Sequence, residues 1–411
     1  MSIIRERLIH YDLTVSPTAN HLKPAMFESS SDGGRRILTR VLAGISIDAL
    51  GAARVPALLV AAGFEVTVVC SGHLAVRRSR SVSRFIETGC APSDVHAGIE
   101  AEIAANPDRY ARVFIVDEPL LRTFVNQPAS PELARLAAPT ANPVRLGRLL
   151  SKVWFNIDCA AAGIPVPAFR VMGDPDELRR MVWTGKPFVV KQELSMSGSG
   201  VFAIRCESDL LHAQRSITAG PLLHQDFVDG RVGGTSVLYS KGEPKCWFSY
   251  FLCRNWPNAL GASSALGPFF HPSLEPIIRQ LGEMSGFDGL CGLDWVLDDQ
   301  GNPLVLEMNP RPTPGLHLAP RVGVSFPDAI RDWIDGKDIT QRPDRDATGL
   351  CRMFPQNLFR AIDDHDPGEF LRTFQDAPWR DPRLLLAYLR RVFTHYLPAD
   401  LRTRAKRLLG R

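Results

Sequence analysis

A short acidic hairpin at residues 293–310 constrains this chain more than any other feature of its sequence. The stretch LDWVLDDQGNPLVLEMNP holds two apolar runs separated by DDQGNP, a cluster of turn-forming residues. A turn centred on Gln300 and Gly301 makes Asp294 and Glu307 direct cross-strand neighbours. Like charges in this arrangement destabilise a sheet, so the pair needs an explanation. The same register predicts two further pairs, Val296 with Val305 and Asp298 with Pro303.

Two explanations fit the sequence. In the first, the true turn lies one residue away, and the carboxylates point to opposite faces or into water. In the second, a cation joins Asp294, Glu307 and the amide oxygen of Asn309, which follows Glu307 on the same strand face. Mg²⁺ suits such a site, because it takes one or two carboxylates and fills its shell with water and phosphate oxygens. Arg311, two residues further on, is well shaped for a phosphate, so the second explanation predicts a nucleotide.

Length and composition indicate a globular chain of two to four domains. It has 411 residues, of which 45% are hydrophobic. The start, MSIIRERLIHYDLTV, has no apolar segment typical of a signal peptide, and no run of 18 apolar residues predicts a membrane span. The eight cysteines form no C-x-x-C pair, which argues against a zinc site or a redox pair. Free thiols favour a cytoplasmic location.

Positive charge is concentrated at the C-terminus. The net charge is +4, yet Arg380–Arg411 holds nine basic residues against Asp381 and Asp400. The rest of the chain is slightly acidic, which argues against a nucleic-acid-binding core. Leucines and arginines at mixed helical spacing leave two interpretations of the tail. One is a packed helix with a solvated basic face, and the other is an interfacial helix that rests on anionic lipid or docks on an acidic partner.

Strand and helix patterns alternate in the first third of the chain. Between residues 37 and 140, the apolar runs VLAGIS, FEVTVVC and ARVFIV alternate with helical patterns, which predicts a parallel sheet. Asp117 and Glu118 follow the last of these runs, where such sheets bind ligands. The alternative is that these two acids cap the next helix or turn.

Lys191 ends an apolar strand and precedes the small-residue loop LSMSGSG. A glycine-rich loop can bring backbone N–H groups against phosphates because no Cβ intervenes. The loop lacks the Walker A pattern G-x-x-x-x-G-K-[ST], and a flexible hairpin tip is an equal alternative. The lysine favours the phosphate interpretation, since buried strand ends rarely carry an unpaired ammonium.

The motifs from Lys152 onward, in the order GIPVP, FVVK, Gly/Ser loop, HQDFVDG, Asp294 and LEMNPR, resemble the ATP-grasp superfamily. The resemblance covers about residues 145–320 and implies that ATP lies between two α+β subdomains. It also implies that Asp294, Glu307 and Asn309 bind Mg²⁺, or Mn²⁺ in its place, and that Arg311 contacts phosphate. The other implied nucleotide contacts are Lys152 and Lys191 at the phosphates, Ser197, Gly198, Ser199 and Gly200 closing over them, Gln225, Asp226, Phe227 and Val228 along adenine, and Leu306 or Met308 on its ring.

The sequence departs from the family at the ribose. The family usually has a glutamate after FVDG that holds the ribose hydroxyls, whereas the run RVGGTSV contains no acid. Asp226 or Asp229 is then left to hold ribose, or ribose is held weakly.

Arg254 precedes a Gly/Ser-rich stretch, a pattern typical of an anion site. It is a candidate to clamp a substrate carboxylate, the γ-phosphate or an acylphosphate. The alternative is a surface arginine stacked on Trp256. His317 is a further candidate for the same region, although a lone histidine is more often structural.

These observations predict an α/β and α+β protein: a small parallel-sheet domain, a two-subdomain ATP-grasp fold and a helical C-terminal tail. The expected boundaries are 1–36, 37–140, 141–205, 206–335 and 336–411. The resemblance implies an ADP-forming ligase that activates a carboxylate as an acylphosphate and joins it to an amine, with Arg311, Arg254 and Lys191 supporting the chemistry. Another ATP-grasp phosphoryl transfer and a non-catalytic nucleotide-binding protein stay open as alternatives. The expected partners are small-molecule carboxylates and amines, with a homodimer as an alternative to a monomer.

Overall fold

A parallel sheet, two antiparallel sheets and a helical C-terminal region make up the fold. A computed structural model of the chain describes residues 38–48, 51–140, 142–195, 198–258, 261–344, 347 and 349–398. The predicted N-terminal segment 1–36 and the end of the basic tail, from residue 399, lie outside these ranges. The predicted fold class, α/β followed by α+β with a helical C-terminal region, is confirmed.

The N-terminal domain is a five-stranded parallel sheet flanked by four helices. Its strands are β1 (Arg40–Ile45), β2 (Glu65–Ser71), β3 (Arg84–Thr88), β4 (Arg112–Ile115) and β5 (Ala137–Ala138). Its helices are α1 (Arg54–Ala61), α2 (Pro92–Ala105), α3 (Glu118–Asn126) and α4 (Pro131–Leu136). The sheet order is β3-β2-β1-β4-β5. The connections therefore change direction between β1 and β4, and their carboxyl ends open a crevice there.

Both faces of this sheet are buried, which explains its continuous apolar strands. Val41 and Ala43 face a core shared with α1 and the C-terminal helices, whereas Leu42 faces α2 and α3. The short strands β3 and β5 have no strong apolar pattern, so the sequence analysis did not identify them.

The sequence RLGRLLSKVWFNIDCAAAG predicts one helix, but the structure has two. They are α5 (Pro143–Leu150) and α6 (Lys152–Ala161). Ser151 interrupts them, because its extended backbone leaves its hydroxyl free to accept from the Trp154 N–H at 3.1 Å. The break makes Lys152 the first residue of α6, and its N–H donates to the Glu193 carbonyl at 3.0 Å.

The four-stranded antiparallel sheet carries the Gly/Ser loop. Its strands are β6 (Phe169–Met172), β7 (Phe188–Gln192), β8 (Val201–Ile204) and β9 (Leu222–Asp226), in the order β6-β9-β7-β8. Its helices are α7 (Pro175–Arg179), which Asp174 caps, and α8 (Glu207–Ser216). Because β9 pairs with β6 and β7, this sheet continues to Asp226, beyond the boundary expected after residue 205.

The six-stranded sheet carries the acidic hairpin. Its order is β14-β13-β10-β11-β12-β15. The strands are β10 (Arg231–Ser240), β11 (Glu243–Trp256), β12 (Ala262–Pro268), β13 (Gly289–Leu297), β14 (Pro303–Asn309) and β15 (Cys351–Arg352), with α9 (Leu274–Ser285) between β12 and β13. Since β15 joins this sheet, the region from residue 336 contributes a strand as well as helices.

The C-terminal region packs against the rest of the fold. Its helices are α10 (Phe326–Ile334), α11 (Gln356–Asp363), α12 (Pro367–Thr373) and α13 (Pro382–Tyr396). Tyr388 and Val392 of α13 are fully buried in the core that covers the parallel sheet. Asp381 caps α13 and accepts from the Ser79 hydroxyl at 2.6 Å. The packed-helix interpretation of the tail thus holds for α13. None of the helices in the described ranges is long and apolar enough to cross a membrane.

Candidate functional site

A cavity of about 1090 Å³ lies between the two antiparallel sheets and reaches the carboxyl ends of β1 and β4. The structure brings most of the predicted site residues to its walls. These are Lys152, Lys191, Gly198, Gln225, Asp226, Phe227, Val228, Asp294, Leu306, Glu307, Met308, Asn309 and Arg311. Ser199 and Gly200 belong to the turn beside Gly198, and Ser197 lies outside the described residues.

Asp294 and Glu307 are cross-strand partners in β13 and β14, as the sequence predicts. Beyond them the predicted register is wrong by one residue, because Trp295, not Val296, pairs with Val305. The corresponding correction at the hairpin tip pairs Leu297 with Pro303 and Asp298 with Asn302.

A β-bulge at Leu306 accounts for the change of register. The loop has three residues instead of two, with Gly301 at φ +82° and the Asp298 carboxylate accepting from the Asn302 N–H at 2.7 Å. In the strand that follows, the extra residue Leu306 restores the pairing of Glu307 with Asp294. The Leu306 carbonyl accepts from Lys191 Nζ at 3.5 Å.

Burial and opposite charges set the protonation of the acidic pair. Burial, followed by the neighbouring Glu307, raises the pKa of Asp294. Burial also acts to raise the pKa of Glu307, but the ammonium groups of Lys152 and Lys191 outweigh it and lower that pKa. Lys152 Nζ lies 3.4 Å from Glu307 Oε2. Burial lowers the pKa of Lys191 to about 8.

The donor set fits a magnesium ion. Asn309 donates to Asp294 Oδ2 at 3.1 Å, and its amide oxygen accepts from Arg311 at 3.2 Å. A half rotation of this amide would turn its oxygen toward the carboxylates, giving three hard oxygen ligands. Among the described residues no group of three or more His, Cys, Asp and Glu side chains could hold a metal. A metal at Asp294 and Glu307 therefore needs further oxygens from water or a ligand. Mg²⁺ in proteins usually has such a shell, with one or two carboxylates and several waters or phosphate oxygens.

The Gly/Ser loop lies against Lys152. Gly198 has φ +74°, and a Cβ on Gly200 would collide with the Cβ of Ser195. Lys152 Nζ donates to the Ser195 carbonyl at 2.8 Å. The buried Ser195 hydroxyl has no hydrogen-bond partner among the described residues and lines the cavity. Ser195 was missed at the sequence level, because a serine in a serine-rich loop carries no distinguishing signal.

The predicted adenine strand is held to α6. Gln225 is 1% exposed and donates to Asn156 Oδ1 at 2.9 Å. Its side chain thus joins β9 to α6, while its neighbours along the strand line the cavity. Asp226 pairs with the exposed Lys186 at 3.0 Å, and Asp229 also lines the cavity. On the opposite wall Met308 is buried and Leu306 is half-buried.

The structure does not bring Arg254 to the cavity. Its guanidinium lies 3.2 Å from Glu369 of α12, while its neighbours Cys253 and Asn255 line the cavity. The pairing of β11 with β12 is irregular on both sides of Arg254. Arg254 is 42% exposed, as the surface alternative expects, and Trp256 stacks on Phe359.

His317 is likewise held away from the cavity by structural partners. It lies 2.7 Å from both Arg54 Nη1 and Asp376 Oδ1. Burial, then the charge of Arg54, lowers its pKa.

The carboxyl ends of β1 and β4 form the far end of the cavity. Asp117 caps α3 and also accepts from the Ser46 backbone and hydroxyl, each at 2.6 Å, so the cap interpretation holds for it. Glu118 lines the cavity and pairs with Arg122 at 2.6 Å. Three residues that the sequence analysis missed also line this cavity: Met353, Gln356 and Arg391.

Comparisons with known proteins agree with this architecture. A family model described as an ATP-grasp domain matches residues 152–315. A search of curated protein sequences gave no match.

Three solved structures illustrate the shared fold. The biotin carboxylase domain of Hydrogenobacter thermophilus 2-oxoglutarate carboxylase, solved with MgADP, ADP and bicarbonate, is 14% identical with a TM-score of 0.57, over 77% of this chain and 74% of that one. Staphylococcus aureus N5-carboxyaminoimidazole synthetase, solved with ADP, is 12% identical with a TM-score of 0.58, over 80% of this chain and 85% of that one. Bacillus licheniformis L-amino acid ligase is 15% identical with a TM-score of 0.51, over 72% of this chain and 74% of that one. The chain therefore carries an ATP-grasp domain over residues 152–315 and shares its fold with these three proteins.

Proposed function

We propose that this protein is an ATP- and Mg²⁺-dependent ligase that activates a carboxylate as an acylphosphate and joins it to an amine. One observation carries the proposal: Asp294 and Glu307 face each other in a cavity that also presents Lys152, Lys191 and Arg311. Three cations and two carboxylates leave one positive charge, and a bound divalent ion adds two more. That excess suits a triphosphate, whose charge grows on the γ-phosphoryl oxygens as it is transferred.

The cavity has room for more than a nucleotide. Its volume of about 1090 Å³ exceeds the range of most single-ligand pockets, which is roughly 300–1,000 Å³. Its far end lies at the switch point of the parallel sheet, where open α/β sheets bind ligands. A nucleotide between the antiparallel sheets and a second substrate at β1 and β4 would occupy one continuous space.

In the proposed reaction a substrate carboxylate oxygen attacks the γ-phosphorus of ATP, and the bond to the β-phosphate oxygen breaks to release ADP. The amine nitrogen then attacks the acylphosphate carbon, the carbon–oxygen bond to phosphate breaks, and the amine proton leaves with phosphate. Bound Mg²⁺ supplies charge neutralisation at the phosphates. Lys152, Lys191 and Arg311 orient the phosphoryl oxygens, and the enclosing sheets limit the access of water. The names of similar proteins, a carboxylase, a synthetase and a ligase, support an ADP-forming reaction of this type.

The test is an ADP-release assay over pooled carboxylic acids and pooled amines, with and without EDTA. We expect ADP release that depends on magnesium and on at least one acid, with hydroxylamine able to trap the acylphosphate as a hydroxamate. Acid-dependent ADP release without any hydroxamate would instead favour another phosphoryl transfer. MgATP binding with no turnover over the whole panel would favour a nucleotide-binding protein without catalysis.

Lys191→Ala is expected to weaken MgATP binding by roughly 1.5–3 kcal/mol, the usual value of a hydrogen bond to a charged group. Lys191 is 6% exposed, and among the described residues its ammonium donates to the bulge carbonyl at 3.5 Å, so a phosphate oxygen would be a stronger partner. Calorimetric titration measures the change. The matched control is Lys186→Ala, which removes an exposed lysine just before β7 that pairs with Asp226. Equal MgATP affinity for wild type and Lys191→Ala would remove Lys191 from the phosphate site.

A further inference from the structure

The far end of the cavity contains groups that the nucleotide site does not use. Asp48 and Glu118 follow β1 and β4, while Gln356 and Arg391 come from α11 and α13. All four lie outside the matched ATP-grasp domain. The residues at this end therefore belong to segments that nucleotide binding constrains least.

Gln356 is a buried polar group with an unused acceptor. Its side chain is 2% exposed, and within the described ranges its amide oxygen has no hydrogen-bond partner. A buried, unpaired acceptor costs about 1–3 kcal/mol, so nearly all such groups in native proteins have partners. Because Gln356 lines the cavity, a ligand donor would supply the missing partner.

Glu118 offers a second unused acceptor. Arg122 donates twice to it, at 3.1 and 2.6 Å, and both bonds fall on Oε1. Over the part of the chain that the structure describes, no donor bonds to Oε2, although the side chain is only 11% exposed. By contrast, the Asp117 carboxylate accepts four hydrogen bonds, two on each oxygen, from Ser46, Ile47 and Leu120.

The charge at this end favours a cation. Asp48 accepts from Ala75 N–H at 3.2 Å and pairs with Arg391 at 2.8 Å. Within the described ranges Asp48 thus pairs with Arg391 and Glu118 with Arg122, whereas the donors to Asp117 are uncharged. These three carboxylates and two guanidinium groups carry a net charge of −1, which one ammonium group would balance. An ammonium has three hydrogen-bond donors and no acceptor.

We propose that this end of the cavity binds the amine substrate in its ammonium form, with N–H groups directed to the amide oxygen of Gln356 and to Oε2 of Glu118, whose carboxylate takes one ammonium proton before the nitrogen attacks the acylphosphate. The inference rests on the proposed function, since it names the class of group that the second substrate presents. Buried Val116 and Met353, close in sequence to these acceptors, add apolar wall, so the amine is carried on an alkyl group. The Arg391–Asp48 pair ties α13 to the loop after β1 and closes this end.

The binding test uses three probes of similar size: butylamine, butan-1-ol and butyrate. Each is titrated by calorimetry into the full-length protein in the presence of MgADP at pH 7. We expect butylammonium to bind about tenfold or more tightly than butanol or butyrate. Gln356→Leu and Glu118→Gln are each expected to weaken butylammonium binding by about tenfold, the loss of one hydrogen bond to a charged donor. Cys253→Ala, which changes another residue that lines the cavity, is the matched control and should bind it as wild type does.

Stability separates a binding role of Gln356 from a packing role. Leucine has nearly the same volume and removes the orphan acceptor, so Gln356→Leu should unfold at the wild-type temperature or above it. Butanol or butyrate binding as tightly as butylamine, or a Kd for butylamine that both variants leave unchanged, would overturn the proposal. Either result leaves hydroxamate formation with ATP and acid untouched, so failure here is distinguishable from failure of the proposed ligase reaction.

Discussion

Glu307→Gln is expected to reduce ADP formation by roughly a thousandfold, the scale on which removing preorganised transition-state charge stabilisation acts. Glutamine keeps the size of the side chain but removes the charge that faces both Lys152 and the proposed Mg²⁺ site. The ADP-release assay measures the loss at saturating magnesium. Raising magnesium tenfold should not restore activity, because the variant lacks a ligand.

Asp294→Asn is the partner variant that distinguishes a metal site from a structural pair. It should also lose turnover, yet its metal-free fold should be at least as stable as wild type. The sign follows from the raised pKa of Asp294: the folded state prefers the protonated form. The associated stability is present below the ordinary aspartate pKa and is lost as pH rises through the raised value. Thermal unfolding in EDTA should show this decline for wild type and not for Asp294→Asn. Wild-type ADP release from both variants would remove the metal assignment.

The hairpin shows how far the sequence could predict the site. The turn residues and the two apolar runs predicted Asp294 opposite Glu307, and the structure pairs them. The same reasoning assumed a two-residue turn, and the Asp298–Asn302 hydrogen bonds instead create a three-residue loop. Only the compensating bulge at Leu306 preserves the acidic pair. Such local compensation depends on side-chain hydrogen bonds that strand periodicity does not encode.

Residues from distant segments could not be predicted in the same way. Gln356 and Arg391 reach the cavity because α11 and α13 pack on the six-stranded and parallel sheets. Nothing in their local sequence distinguishes them from surface residues. Arg254 shows the opposite error: its neighbours line the cavity, whereas its own side chain lies on the other face of β11 and pairs with Glu369.

That other face of β11 leads to the largest expected effect on folding. Glu369 of α12 is 4% exposed and accepts from Arg352 at 2.6 Å, from Arg360 at 3.1 Å and from Arg254 at 3.2 Å. Arg254 of β11 and Arg352 of β15 lie on either side of Ala265 of β12, so one carboxylate ties α12 to two strands of the sheet. Arg372 is a fourth guanidinium, at 3.4 Å.

Glu369→Ala is expected to lower the free energy of unfolding by about 3–5 kcal/mol, because it leaves the mostly buried guanidinium groups of Arg352 and Arg360, and the more exposed one of Arg254, without their shared carboxylate. Chemical denaturation measures the loss. Asp176→Ala, which breaks the exposed pair with Arg179, is the control and should cost no more than about 1 kcal/mol. A loss of similar size in both variants would mean that the cluster contributes no more than a surface ion pair.

The pH dependence of stability gives an independent measure of the same interaction. Burial acts to raise the pKa of Glu369, but the hydrogen bonds and charge of Arg352, with the charge of Arg254, lower it from 4.5 to about 2. A depressed pKa contributes stability above the unfolded value, and that stability is lost as pH falls from about 4.5 toward 2. The lowered pKa corresponds to about 3 kcal/mol, at the lower end of the estimate for breaking the cluster. Glu369→Gln removes only the charge. The difference in the free energy of unfolding between wild type and this variant should therefore be largest at pH 6–7 and shrink below about pH 4.5. A difference that stays constant down to pH 3 would assign the stabilisation to packing instead of to the carboxylate.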